Sequence, residues 1–436
     1  MSTSAAITLI EIETRALLAR LEQVRPFSLH LPMVMAAAPS QSAWSAIENY
    51  LSAGRGRLRR ACFDFLRWLR GPGKSVSAEK AQRRFSFLRL NVLAGMNQFD
   101  IFADALVQRS QHGLGEWLGG LDVVAGDALE LAGEPFAAPP VVCYLDRGHG
   151  AAIRRARTRL PGGGDNPVAI IKVPRERMIG SGIASSLVHE VGHQAAALLD
   201  LVNPLRKKLQ ERAARDGPDR PAWECFARWI SEIVADFWSV AHIGIGSTLG
   251  LMGVVALPRV FVFRTSAEDP HPTPWIRVKI SAAIGSRLYP DAQWANLASV
   301  WEELYPLDRL DQERRLLFEM IERALPEFVE LICGHQPQAM RGETLESALP
   351  LDERTPAQLR DLHEQWKRDP GLLARLRPTV AMAMVGQAKA GGKMGAREES
   401  RVIGRLLRFW AYSSTVDTVS MCAQARKQRR AVALST

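Results

Sequence analysis

The chain is poor in cysteine: Cys62, Cys143, Cys225, Cys333 and Cys422 are the only five in 436 residues. They are odd in number, far apart and without a C-x-x-C pair, which excludes a disulfide framework and a cysteine-ligated zinc site. A reducing, cytoplasmic compartment is expected. Long uncharged runs are missing too. The apolar, glycine-containing stretch 243–257 is closed by Pro258 and Arg259, short of the roughly 20 residues that a membrane span requires. A buried hairpin or helix is expected there, with membrane association not favoured. The first 19 residues set Glu11 and Glu13 inside their apolar run and have no basic segment ahead of it, so they read as an amphipathic helix and not as a secretion signal. No internal repeat is visible. Gly391-Gly392-Lys393 lacks the upstream glycine and the following Ser or Thr of a phosphate-binding loop. No zinc finger, RNA-binding signature or helix-turn-helix stands out, so nucleic acid is an unlikely partner in spite of a net charge of +10.

What is present describes a globular chain, 47% hydrophobic and long enough for two or three domains. Apolar residues recur at helical spacing over 44–69 and 78–106, joined by a Gly/Pro turn, and again over 113–131. Arg55, Arg57, Arg59, Arg60, Arg67 and Arg70 make the first of these strongly basic; a solvated face is the favoured reading, contact with nucleic acid or acidic lipid the other. Extended structure is expected over 141–145 and 168–173, separated by the turn 161–167. The second strand is either an edge that could take up an extended peptide or an internal strand. The connection 206–220 is polar and reads as mobile, a possible lid. Further helices are expected over 275–288, 292–304, 310–332, 356–368, 370–390 and 397–412. The fold class is therefore mainly α with a small β-sheet, α+β.

One stretch implies a definite chemistry. His189 and His193 stand four positions apart, one turn of helix, so both imidazoles can reach one metal ion, and Glu190 beside the first can address a water on that metal. This is the H-E-x-x-H spacing of a zinc peptidase helix. Ser185 or Ser186 is the expected cap and Ala195 to Leu199 continue the helix. A catalytic zinc needs a third protein ligand. Ala196 and Leu199 stand where a metzincin would carry glycine and histidine, so the ligand comes from elsewhere. In 222–238 Glu224, Arg228, Glu232 and Asp236 run four apart through an otherwise aromatic helix. They are either a solvated Glu/Arg ladder or the missing acid: Glu232 as ligand would leave Asp236 one turn on, able to accept the far N–H of a ligating histidine.

His189-Glu190-Val191-Gly192-His193 followed by Glu232-Ile233-Val234-Ala235-Asp236 resembles the gluzincin arrangement H-E-x-G-H and E-x-x-A-D, nearest to the CAAX prenyl endopeptidases, the membrane heat-shock metallopeptidases and their soluble relatives. His271-Pro272-Thr273-Pro274-Trp275-Ile276-Arg277 is similar to the His-Pro segment, ending in Arg, that follows the metal helices in that family. The resemblance covers about 167–290. It implies a Zn2+ ion on His189, His193 and Glu232, Glu190 as general base, Asp236 behind a ligand, and His271 and Arg277 near the substrate. His271 is otherwise a turn histidine capping the next helix. The division that follows is a helical region 1–134, a zincin-like metallopeptidase core 135–306, a helical region 307–412 and a basic tail 413–436. The expected activity is hydrolysis of a peptide bond in a protein or peptide substrate. The alternatives are a zinc-binding scaffold without proteolysis, or a basic nucleic-acid- or membrane-associated protein.

Overall fold

The computed structural model describes residues 5–27, 31–148, 150–160, 163–175, 180, 182–215, 217–266 and 268–435, with side chains described as far as 416. Helices α1 (Ala5–Gln23), α2 (Gln41–Arg70), α3 (Ala78–Val107) and α4 (Leu114–Leu129) precede strands β1 (Val141–Asp146), β2 (Ala152–Arg154) and β3 (Ala169–Pro174). Then follow α5 (Gly182–Leu198), α6 (Val202–Ala213), α7 (Arg220–Ile243), α8 (Ile245–Val255), α9 (Arg259–Val262), α10 (Pro274–Leu288), α11 (Gln293–Leu304), α12 (Gln312–Cys333), α13 (Pro356–Arg368), α14 (Leu372–Arg375), α15 (Pro378–Ala390) and α16 (Ala396–Ser435). The protein is mainly α with one small sheet. Local chemistry sets many of these limits. Ser40, Ser77 and Asp311 accept the backbone N–H three residues on and so cap α2, α3 and α12. Thr355 and Gln358 form a reciprocal capping box on α13.

The chain forms two compact units. One consists of Met1–Leu118, Pro139–Tyr144 and Arg154–Ile170, the other of Gly119–Ala138, Leu145–Ile153 and Ile171–Thr436. In the first, α1, α2 and α3 bury Leu17, Leu21, Phe65, Leu69, Phe85 and Leu88 against one another. In the second, α7 is the central helix: Trp223, Trp229, Val234, Ala235, Phe237 and Ile243 are all buried and between them lie on every side of it. A helix apolar all round must be surrounded, and α5, α6, α8, α10, α12 and α15 pack on it. The expected boundaries at 134, 306 and 412 are not those of the compact units: α12 packs on α7 and α10, and α15 on α7, α8 and α13, all within the second unit.

Several local expectations are corrected, and two alternatives left open are decided. The sheet order is β1-β3-β2, so β3 is the internal strand and offers no edge for a peptide. The connection 206–220 is largely helix α6, which buries Leu205, Leu209 and Ala213. The expected helix 370–390 is two, α14 and α15, because Pro378 occupies the first turn of α15 and cannot continue a helix from before it. Helix α5 begins at Gly182, ahead of the serines expected to cap it; Ser185 Oγ instead donates to the Ser247 carbonyl of α8 at 2.9 Å. Of the hairpin or helix expected over 243–257, the structure has the helix, α8. The expected tail 413–436 continues α16, and the side chains of its basic cluster 426–430 lie outside those described, as do residues 161 and 162 of the turn 161–167. Among the described residues no helix is long and apolar enough to cross a membrane.

Candidate metal centre

Helices α5 and α7 build the centre by lying unusually close. A Cβ on Gly192 would stand 2.8 Å from the Ala235 Cα and 2.9 Å from the Ala235 carbonyl oxygen, so only glycine permits this crossing. The contact brings the polar line of α7 under the two histidines of α5. That line divides: Glu224 pairs with Arg220 at the solvated end, while Glu232 and Asp236 are buried at 9% and 6% exposure. The solvated part of the line thus ends at Arg228, which is exposed, and the buried carboxylates beyond it must be paired.

The pairing converges on His189. Its Nδ1 lies 2.8 Å from Asp236 Oδ1, and its Nε2 3.4 Å from Glu232 Oε2; His193 Nε2 lies 3.5 Å from Glu232 Oε1. Ligand atoms of His189, His193 and Glu232 all fall within 4.8 Å of one another. Two donors on a tetrahedral zinc, each about 2.0–2.1 Å from it, stand roughly 3.3 Å apart, close to the two measured His–Glu separations. With the Nδ1–H of His189 given to Asp236, Nε2 keeps its lone pair for the centre. The three residues therefore fit a metal ion.

Arg277, from α10, closes the back of the site. Its Nε and Nη2 donate to the two Asp236 oxygens at 2.7 and 2.9 Å, a bidentate pair. Nη2 is also 3.4 Å from both ring nitrogens of His189, a contact with the ring and not a bond to one lone pair. Arg277 thus lies behind the ligands, fastened to Asp236. His271 is half-exposed at the front: Nε2 is 3.5 Å from Glu232 Oε2, and Nδ1 is held by Asp269 Oδ1 at 2.9 Å. Asp269 also accepts the His271 backbone N–H and pairs with Arg264. Glu190 is buried at 7% exposure, and its carboxylate has no hydrogen-bond partner among the described residues.

The metal-free electrostatics follow from burial and from these pairs. Burial disfavours a charged His189 imidazole, but the Asp236 charge and the bonds to Asp236 and Glu232 outweigh it and raise its pKa to about 9. Burial, with the His189 charge beside it, pushes His193 down to about 4. Burial would raise Glu232, yet its histidine partners and Arg277 hold it at about 2; Asp236 is also held low, against burial, by Arg277 and His189. Glu190 is raised, chiefly by burial.

All seven expected residues, His189, Glu190, His193, Glu232, Asp236, His271 and Arg277, thus share one neighbourhood. Sequence reasoning missed Asp269, whose place two residues before His271 is the usual spacing of an Asx turn, and the hydroxyl chain Ser185, Ser239 and Ser247 that ties α5, α7 and α8. Comparison with family models, curated proteins and solved structures finds no match.

Proposed function

We propose that the chain is a zinc-dependent endopeptidase with a zincin-like core, hydrolysing peptide bonds in protein or peptide substrates. The observation that carries this reading is the convergence of His189, His193 and Glu232 beside Glu190, a buried carboxylate without a hydrogen-bond partner among the described residues. Two imidazoles and one carboxylate, with a position left for water, are the donor set of a catalytic zinc. Zinc bound there would supply Lewis acidity, lowering the pKa of a water toward about 7 and polarising the substrate carbonyl.

The side chains do the rest. Glu190 takes the proton of the attacking water and hands it to the leaving amine; burial, by raising its pKa, favours that transfer. Asp236 holds His189 in the tautomer a ligand needs, and Arg277 holds Asp236. His271 in its protonated form, aligned by Asp269, donates from Nε2 to the oxygen on which negative charge develops. A cytoplasmic location belongs to the same proposal and is supported by Cys62, Cys143, Cys225 and Cys333, which are buried free thiols.

The test is Glu190→Gln against wild type, with metal content and cleavage of a peptide library measured on the same preparations. The variant is expected to retain its zinc and lose hydrolysis. Equal cleavage by the two proteins would remove Glu190 as the base, and a zinc-loaded wild type that cleaves nothing would favour a non-proteolytic zinc scaffold.

A further inference from the structure

The positive charge of this chain is concentrated in one place. Between Arg55 and Leu90 stand eleven Lys or Arg and only Asp64 and Glu79 against them, nine of the ten net charges of the whole chain. Beyond Leu90, α3 carries no base, only Asp100 and Asp104, so the helical hairpin formed by α2 and α3 is polarised toward its turn. Ten of the eleven bases are exposed. Arg67 and Arg70 have the acidic partners Asp64 and Glu11.

The same end of α3 is apolar on its outer side. Phe85, Leu88 and Val92 fill the core shared with α1 and α2, whereas Phe87, Leu90 and Leu93, spaced three apart, are 60%, 61% and 44% exposed. Arg83, one turn before Phe87, and Arg89 flank this stripe. On α2, Phe63 is 44% exposed beneath the guanidinium of Arg59, 5.5 Å from its ring. A solvated helix would carry polar residues on that outer stripe.

We propose that the outer face of the α2–α3 hairpin docks on anionic lipid bilayers, with Phe87, Leu90 and Leu93 entering the headgroup boundary and the flanking arginines and lysines meeting lipid phosphates and carboxylates. Charge complementarity selects the occupant: a basic rim around an apolar stripe matches an acidic surface over an acyl interior. Nucleic acid would match the charge but not the leucines, since base recognition on an unpaired strand uses flat, stackable side chains. With no described helix able to cross a bilayer, the hairpin lies on it. The inference is independent of the metal centre.

Co-sedimentation of the full chain with phosphatidylserine/phosphatidylcholine vesicles, and with phosphatidylcholine alone, tests it. Binding is expected to the first and not to the second, and to weaken with salt. Arg83→Gln with Arg89→Gln should lower vesicle affinity about fivefold per arginine removed. Phe87→Gln with Leu90→Gln should lower it at least about tenfold. Both pairs are exposed, and unchanged melting temperatures verify that the variants are folded. Three results would overturn the proposal: no binding of wild type to the anionic vesicles, unaltered binding by the Phe87/Leu90 variant, or a DNA or RNA oligonucleotide bound more tightly and displacing the vesicles.

Discussion

Gly192 of α5 rests on the backbone of Ala235 in α7, with no room for a side chain between them. The two residues are small at the centre of the two segments that carry the ligands, and their contact sets the distance across which Glu232 reaches His189 and His193. In an open helix Gly→Ala would gain up to about 1 kcal/mol. Here the added methyl meets backbone atoms that cannot rotate away, and overpacking of this kind costs roughly 1–3 kcal/mol. Gly192→Ala is therefore expected to lower the melting temperature and to weaken zinc binding. A variant that melts higher than wild type would show that the helices part freely.

Glu232 is the ligand that the spacing of α5 could not supply. Wild type is expected to hold one zinc per chain and Glu232→Ala to hold far less, read by elemental analysis after gel filtration. Full zinc content in the variant would mean that the third ligand is another group.

Arg277 and Asp236 form a buried ion pair, and removing one member leaves the other charge uncompensated. Arg277→Ala should lose roughly 3–5 kcal/mol in denaturant unfolding, whereas Asp236→Asn with Arg277→Met should recover most of that. Both variants should bind zinc about 10- to 100-fold more weakly, because His189 loses its orienting acceptor or the hold upon it. If Arg277→Ala unfolds like wild type, the pair contributes nothing to the fold.

His271 is held by Asp269 at the front of the centre and touches no ligand nitrogen. His271→Ala is expected to reduce kcat about 100-fold, in the range of a lost oxyanion donor, with zinc content unchanged. Asp269→Asn should fall between wild type and that variant. Loss of zinc in His271→Ala would instead make His271 a ligand.

For the chain freed of metal by chelation, His189, Glu232 and His193 are among the groups that make stability depend on pH. His189 titrates near 9 in the fold and about 6.5 unfolded, so its contribution is complete below about 6.5 and disappears as pH rises through 9. Glu232, near 2 in the fold, contributes above about 4.5 and loses that as pH falls toward 2. His193, pushed down to about 4, acts as Glu232 does: below about 6.5 the unfolded chain takes its proton more readily. Chemical denaturation across this range should give a maximum near about 6.5, with stability falling as pH rises from there toward 9 and as it drops toward 2. Zinc must displace the His189 proton, so at neutral pH its uptake should release close to one proton, detectable calorimetrically in buffers of differing ionisation enthalpy. Uptake without proton release would be inconsistent with a charged His189.

Much of the centre was legible because helices carry a fixed period. His189 and His193 one turn apart, and Glu232 and Asp236 one turn apart, needed only the 3.6-residue repeat to be placed on single faces. The α3, α10, α12 and α13 helices were legible within a residue or two, and α2 within three, from apolar spacing and from the Gly- and Pro-containing breaks between them. Pro378 was an available signal that was passed over. The internal place of β3 had no comparable signal, since strand order is set by pairing between distant segments.

The sequence by itself determined the helical class, the donor types and the spacing that points to a metal, because these are properties of residues near one another along the chain. Only the tertiary structure decided that Gly192 meets Ala235, that Arg277 fastens Asp236, that Asp269 holds His271, and that α12 and α15 pack on α7. Each of those joins segments dozens of residues apart, and which distant surfaces meet is settled by how the whole chain buries its apolar area at once.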